Sequence, residues 1–227
     1  MDASLADLPL PRAVIFDLDG TLVDTVEHRI DAWLRALDEA GYPTTRERLA
    51  PLIGVDGKRL AREIAALAGD TLDDDRVETI DKRSGEIFEG LNHSPRPLPG
   101  VRAVVAAIDA RGLACAIATS SRRDQIATSI DALGLDRPPT IVDASHVEQA
   151  KPAPDLLLRA AEELEVEPAR AWYVGDSTWD MVAAVAAGMV PVGVTAGAAV
   201  DAAGLRSAGA AVVVATLDDI ADAIRAH

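Results

Sequence analysis

The chain has 227 residues, enough for one substantial hydrophobic core or for a core with a small inserted domain. Its 49% hydrophobic and 26% charged residues are ordinary for a soluble globular protein, and no stretch approaches the roughly 20 apolar residues of a membrane span. A net charge of −15 argues against nucleic acid as a partner, because affinity for a phosphate backbone needs clustered Lys and Arg.

In chain order, the first ten residues lack a basic start followed by an apolar core, so a cytoplasmic location is expected. Ala13-Val14-Ile15-Phe16 then reads as a buried strand that delivers Asp17-Leu18-Asp19-Gly20-Thr21-Leu22 at its end. Residues i and i+2 of an extended segment project the same way, which puts Asp17 and Asp19 toward one site. Such a pair suits a metal-assisted reaction on a phosphate, in which one carboxylate attacks while its neighbour moves a proton.

Residues 23–96 show helical spacing over 25–40, 45–52, 58–67 and 72–88, with no convincing strand, and are expected to form an inserted helical bundle that acts as a cap. From Gly100 onward helices and short apolar runs alternate. Helices are predicted at 101–110, 124–133, 154–164, 178–187 and 217–226, and strands at 114–118, 141–142, 172–174, 190–194 and 211–214. This alternation implies βαβ units, hence an α/β fold with a parallel sheet and helices on both faces. The core is expected to be discontinuous, over 1–22 and 97–227. Cys115, the only cysteine, lies inside an apolar strand and reads as a core filler.

Further polar groups fall at strand ends, where ligands of such sheets bind. Thr119-Ser120-Ser121 is a hydroxyl cluster suited to a phosphate-binding loop, Lys151 is a single cation flanked by Pro152 and Pro154, and Gly175-Asp176-Ser177-Thr178-Trp179-Asp180 brings a second carboxylate pair to the start of a helix. The oxygen-rich set, with no His or Cys cluster, fits Mg2+ rather than zinc.

In order and spacing these four segments resemble the haloacid-dehalogenase-like superfamily, specifically its phosphoglycolate phosphatase and β-phosphoglucomutase branch with a helical cap. The resemblance implies a Rossmann-like core and hydrolysis of a small-molecule phosphate ester through an aspartyl phosphate on Asp17. Asp19 would protonate the leaving alkoxide and then activate water. It also implies metal binding by the Asp17 carboxylate, the Asp19 main-chain carbonyl and Asp176, with Asp180 either a ligand through water or a supporting carboxylate. Lys151 would balance charge beside the phosphate, and Thr119 with the main-chain N–H groups of Ser120 and Ser121 would bind its oxygens. Gly54-Val55-Asp56-Gly57-Lys58-Arg59 resembles a cap loop that approaches the site. There Gly54 permits close approach and Lys58 or Arg59 can meet an anionic group of the substrate.

Asp19 speaks against dehalogenases, which lack an aspartate at its position. A β-phosphoglucomutase-like activity is the alternative, supported by Asp24-Thr25 and Trp33. Those mutases place a histidine where this chain has Arg29, and His28 comes one position early, a rotation of about 100° on a helix. A noncatalytic binding protein of the same fold is the third reading. The sequence carries no signature of an oligomeric state.

Overall fold

The computed structural model describes residues 4–137 and 139–227. Its centre is a six-stranded parallel sheet in the order β3-β2-β1-β4-β5-β6, formed by β1 (Ala13–Phe16), β2 (Ala114–Ala118), β3 (Thr140–Val142), β4 (Ala171–Gly175), β5 (Val190–Val194) and β6 (Val212–Val214). All of β1 is buried, since the strand has a packed layer on each face. Val14 and Phe16 join Ile117, Trp172 and Val174 on one face, whereas Ala13 and Ile15 join Ala116, Ala118 and Tyr173 on the other. This two-sided burial explains why the strands read as continuous apolar runs rather than alternating ones.

The helices α5 (Val101–Ala110) and α10 (Leu217–Ala226) cover the first face, and α7 (Asp155–Glu163) and α8 (Thr178–Ala187) cover the second. The helix α6 (Arg123–Ala132) follows β2. A short helix absent from the sequence reading, α9 (Ala202–Ser207), lies between β5 and β6. Its Ala- and Gly-rich sequence has too few apolar residues to show a helical period, and it starts where Asp201 Oδ1 accepts the Gly204 N–H at 2.8 Å.

Between the first two strands lie α1 (Val26–Glu39), α2 (Arg46–Leu49), α3 (Gly57–Leu67) and α4 (Asp74–Leu91). They bury their own apolar cluster, including Ile30, Trp33, Leu37, Leu60, Ile64 and Ile80. The expected helix over 45–52 is instead the single turn α2 followed by a 3-10 turn at Ala50–Leu52. Pro51 has no N–H to continue the α-helical ladder. Where the chain leaves and re-enters the sheet domain, the two passing segments hydrogen-bond to each other: Asp24 N–H to Arg96 O at 2.9 Å and Leu98 N–H to Leu22 O at 2.9 Å.

The register sets Phe16 level with Ile117 on one side and Val174 on the other, so β1, β2 and β4 end together. The chain runs outward from β1 through β2 to β3, then returns to lay β4, β5 and β6 on the opposite side. A crevice therefore opens beyond the ends of β1, β2 and β4, where Asp17, Thr119 and Asp176 emerge. Among the described residues no helix is long and apolar enough to cross a membrane.

Ile15 is completely buried in the central strand. Ile15→Ala removes its methyl groups from a close-packed layer and leaves a cavity, which is expected to cost about 2–5 kcal/mol. A urea melt should show this as a lower midpoint at unchanged slope.

Candidate functional site

The turn after β1 is tight. The N–H groups of Thr21, Leu22 and Val23 all turn back to Leu18 O, and Gly20 has φ +80°. A Cβ at Gly20 would stand 2.3 Å from Asp176 Oδ2, so glycine both permits the turn and makes room for the second carboxylate. Thr21 Oγ1 donates to Asp176 Oδ1 at 2.7 Å, which fixes that side chain beside Asp17.

Lys151 is fully buried, and its Nζ lies 2.7 Å from Asp17 Oδ1 and 2.7 Å from Asp180 Oδ1. Asp180 Oδ2 accepts the Ser177 N–H at 2.9 Å and the Ser177 hydroxyl at 2.6 Å. The Tyr173 hydroxyl, shared with Ala118 O at 3.0 Å, reaches Asp180 Oδ1 at 3.1 Å. A carboxylate offers about four lone-pair positions. Those of Asp180 are committed to protein donors, so its geometry suits holding Lys151 rather than binding a metal directly.

Ligand atoms of Asp17, Asp176 and Asp180 lie within 4.8 Å of one another, all buried. Three carboxylates thus share one ammonium. Burial pushes Asp17 up to about 7; the charge of Lys151 opposes this, while Asp180 and Asp19 add to it. Asp176 is raised well above the usual carboxylate range by burial first, then by Asp180 and Asp17, against the Thr21 hydrogen bond and Lys151. Lys151 is raised too, for the opposite reason: burial disfavours its charge, but Asp17 and Asp180 outweigh that and hold it protonated. With no further cation this pocket takes up protons. The carboxylates of Asp17 and Asp176 are hard oxygen donors short of positive charge, so the residues fit a hard divalent cation such as Mg2+.

Asp19 differs from its neighbour. Burial would raise it, but the charge of Arg29, with hydrogen bonds from Thr25, Ser121 and Arg29, brings it below its ordinary value. Thr25 Oγ1 donates to Oδ1 at 2.6 Å; Oδ2 receives Arg29 Nη2 at 2.9 Å and Ser121 Oγ at 2.7 Å. Arg29 also donates to Ser121 Oγ at 2.8 Å and Gln125 Oε1 at 3.1 Å, and its guanidinium lies 3.4 Å from the Phe88 ring centroid. In the sequence Arg29 stands out only as the residue at the position where related mutases have a histidine. Helical geometry was the available signal, since one turn of α1 brings position 29 back over the Asp19 turn. His28 does not line the cavity.

Asp17, Asp19, Thr119, Ser120, Ser121, Lys151 and Asp176 all border one cavity of about 60 Å3, as do Gly54 and Gly57. Thr119 is buried, but its Oγ1 accepts the Ser121 N–H at 3.1 Å. The Ser121 amide is therefore turned inward to Thr119 rather than toward a ligand, unlike the expectation for that group. The Ser120 hydroxyl is buried without a partner among the described residues. Gly54 (φ +93°) lies close enough to Ser177 that a Cβ would meet its Oγ at 2.6 Å, and the Asp56 N–H donates to Lys151 O at 2.9 Å. The helical segment thus rests on the sheet domain. Lys58 and Arg59 do not border this cavity. Lys58 Nζ pairs with Glu78 at 2.6 Å, while Arg59 pairs with Glu63 at 2.7 Å and covers Trp179. Cys115, raised to about 12 by burial and then by Asp109, is an inert thiol.

The description haloacid dehalogenase-like hydrolase belongs to the family whose model matches residues 14–194. The chain is 33% identical over 192 residues to a phosphoglycolate phosphatase of Rhodospirillum rubrum, covering 81% of this chain and 78% of that one. It is 29% identical over 191 residues to a β-phosphoglucomutase of Bacillus subtilis, covering 82% and 84%. A crystal structure of a hydrolase from Pseudomonas syringae matches with a TM-score of 0.88 and 32% identity, over 92% of this chain and 96% of the other.

The charge imbalance has a measurable pH dependence. Because the Asp17 pKa rises on folding from 3.8 to about 7, the stability it contributes to metal-free protein is full below about pH 4 and lost as pH rises through 7. A bound dication replaces those protons. The gain in Tm on adding Mg2+ to chelator-treated protein should therefore be larger at pH 8 than at pH 5 in thermal melts. A gain independent of pH would count against metal binding by these carboxylates.

Proposed function

The chain belongs to the haloacid dehalogenase-like hydrolase family, and on that premise we propose that it is a Mg2+-dependent phosphatase acting on a small phosphate monoester. The observation that carries this reading is the buried group of Asp17, Lys151 and Asp176, beside a second carboxylate, Asp19, held in a different electrostatic state. The ion pair with Lys151 aims the Asp17 carboxylate, and Asp17 attacks phosphorus to form an aspartyl phosphate. Lys151 keeps positive charge beside the reacting group, and Thr119 with Ser120 lies on the side where the phosphate oxygens must be bound. Bound through Asp17, Asp176 and the Asp19 main-chain carbonyl, Mg2+ would supply the remaining charge compensation; Asp180 serves by holding Lys151.

Asp19 has two tasks, and its surroundings bear on both. Paired with Arg29 it is ionised, the form needed to take a proton from the water that hydrolyses the aspartyl phosphate. To protonate the leaving alkoxide it must first take up a proton from solvent, which requires it to give up part of its contact with Arg29 and Ser121, so substrate entry and the rearrangement of Arg29 belong to one step. Most of the acceleration then comes from positioning and charge compensation, as expected for a loose phosphoryl-transfer transition state. Residues 23–96 act as the cap that closes this pocket to water, turning about the paired segments near residues 22–24 and 96–98.

A mutase reading draws support from the Bacillus subtilis relative. It is disfavoured by Arg29, whose guanidinium is committed to Asp19 rather than free to exchange protons with a sugar. A noncatalytic role is disfavoured by the complete Asp17, Asp19, Lys151 and Asp176 set.

Asp17→Asn should abolish turnover and phosphoenzyme formation, because an amide is a poor nucleophile. Asp19→Asn should lower kcat by about 10²- to 10⁴-fold, the usual worth of a positioned acid-base group. Steady-state kinetics with Mg2+ and an aryl phosphate, together with acid-quench trapping of phosphoenzyme, test both. A wild-type rate in Asp17→Asn removes the nucleophile assignment, and net interconversion of sugar-phosphate isomers by the wild type would favour the mutase.

A further inference from the structure

One part of the cavity lies where α4 meets α6 and the start of α3. Asp81, Ser84 and Gly85 of α4, Gln125 of α6, Gly57 of α3 and Trp33 of α1 line it. Asp81 is unlike the other carboxylates of the protein's surface. Its side chain is only 16% exposed, it receives no hydrogen bond among the described residues, and its nearest cation there is Arg122 at 3.9 Å, which is itself bonded to Glu78 at 2.7 Å. A half-buried carboxylate normally recruits donors, so one that lacks them is costly. The cost is visible: burial, then Asp56, raise Asp81 to about 6, with Arg122 and Lys58 opposing and Glu78 adding.

The polar groups beside it are also uncommitted. Ser84 is buried, with no hydrogen bond from its hydroxyl among the contacts of the described residues. Gln125 uses its carbonyl oxygen on Arg29 and leaves its amide N–H groups free. Two glycines create the space these side chains occupy. A Cβ at Gly57 would stand 2.0 Å from Asp81 Oδ1, and one at Gly85 would stand 2.1 Å from Gln125 Nε2.

Among the described residues the cations nearest this part are each bonded to another carboxylate: Arg122, 3.9 Å from Asp81, and Lys58 both pair with Glu78. Arg29 and Lys151 are the basic residues lining the cavity among the described residues. Lys151 is enclosed between Asp17 and Asp180, and Arg29 is spent on Asp19, Ser121 and Gln125. Lys58 is turned outward to Glu78. A leaving group that carries a carboxylate or a second phosphate would meet a carboxylate, with the nearest cations already bonded to Glu78. One that carries hydroxyls would meet an acceptor at Asp81, a donor or acceptor at Ser84 and donors at Gln125.

We propose that Asp81, with Ser84 and Gln125, is the specificity determinant for the leaving group, and that the substrates are phosphate monoesters of neutral polyhydroxylated alcohols rather than of hydroxy acids. This rests on the phosphatase reading above and adds the substrate class. The weakly paired carboxylate is then stability given up in the free protein for hydrogen bonds made when the alcohol is bound.

The test compares kcat/KM for glycerol 3-phosphate and phosphoglycolate, with Mg2+, in wild type, Asp81→Asn and Ser84→Ala, at pH 7.5. Wild type should prefer glycerol 3-phosphate, and Asp81→Asn should cut the ratio of the two constants by about 10- to 150-fold, the worth of a hydrogen bond to a charged group. Ser84→Ala should lower the same ratio by a smaller factor. Because Asp81 receives no hydrogen bond among the described residues and its pairing with Arg122 is long, Asp81→Asn should melt no lower than wild type; Asp81→Ser carries the same test if the amide does not fold. A wild-type preference for phosphoglycolate, or a ratio unchanged on removing the Asp81 charge, overturns the assignment. Failure of the wild type to hydrolyse either ester or an aryl phosphate refutes the phosphatase reading itself and this inference with it, whereas turnover of the aryl phosphate keeps the two failures apart.

Discussion

The ammonium of Lys151, fully buried between Asp17 and Asp180, is the interaction on which the rest of the site depends. Neither a lone buried ammonium nor a lone buried carboxylate is tolerable at this depth, and each is present because the others are. The three side chains come from the end of β1, the segment after β3 and the first turn of α8. They meet only if β1 lies between the strands laid down before and after the reversal of sheet order. The same residues organise their surroundings: Ser177 caps α8 while donating to Asp180, and Tyr173 reaches across from β4 to the network and to Ala118 at the end of β2.

The network is deliberately short of positive charge. Asp17 and Asp176 are both raised, as buried carboxylates are where they outnumber the cations beside them. Such electrostatic stress has to be offset by packing elsewhere. Two apolar layers enclose the strands that carry these residues, with Trp172 on one face and Tyr173 on the other, so the carboxylates are set on rigid elements.

Arg29 links this chemistry to the helical segment above it. The guanidinium leaves α1, holds Asp19, and touches Phe88 of α4 as well as Ser121 and Gln125 beside α6. Any movement of α1 and α4 relative to the sheet therefore alters the company of Asp19. The outer contacts, Arg122 to Glu78 at 2.7 Å and the Trp179 indole N–H to Pro51 O at 2.8 Å, are exposed and exchange readily with water. Arg29 is the contact through which the helical segment touches the second carboxylate.

The alternation of strands and helices was legible because it is a local property. A strand buried on both faces is an apolar run, and helices such as 101–110, 178–187 and 217–226 carry their periods within ten residues. Residues 45–52 and 202–207 were misread or missed because a proline and an Ala-Gly composition obscure the period. The positions of Asp17, Asp19, Lys151 and Asp176 could be seen as polar groups at strand ends, yet their partners could not. Lys151 meets Asp180 from 29 residues away, and Arg29 meets Gln125 from 96 residues away. Lys58 and Arg59 look in sequence like groups for an anion, while neighbouring glutamates on the folded surface claim both. Asp81 resembles any other charge on a helix until Gly57 and Trp33 close around it. Periodicity acts within a few residues and survives as pattern, so the sequence determined the elements and the kind of chemistry at their ends. Charge pairing acts through space, so only the tertiary structure decided which groups are balanced, which are spent, and which are left for a ligand.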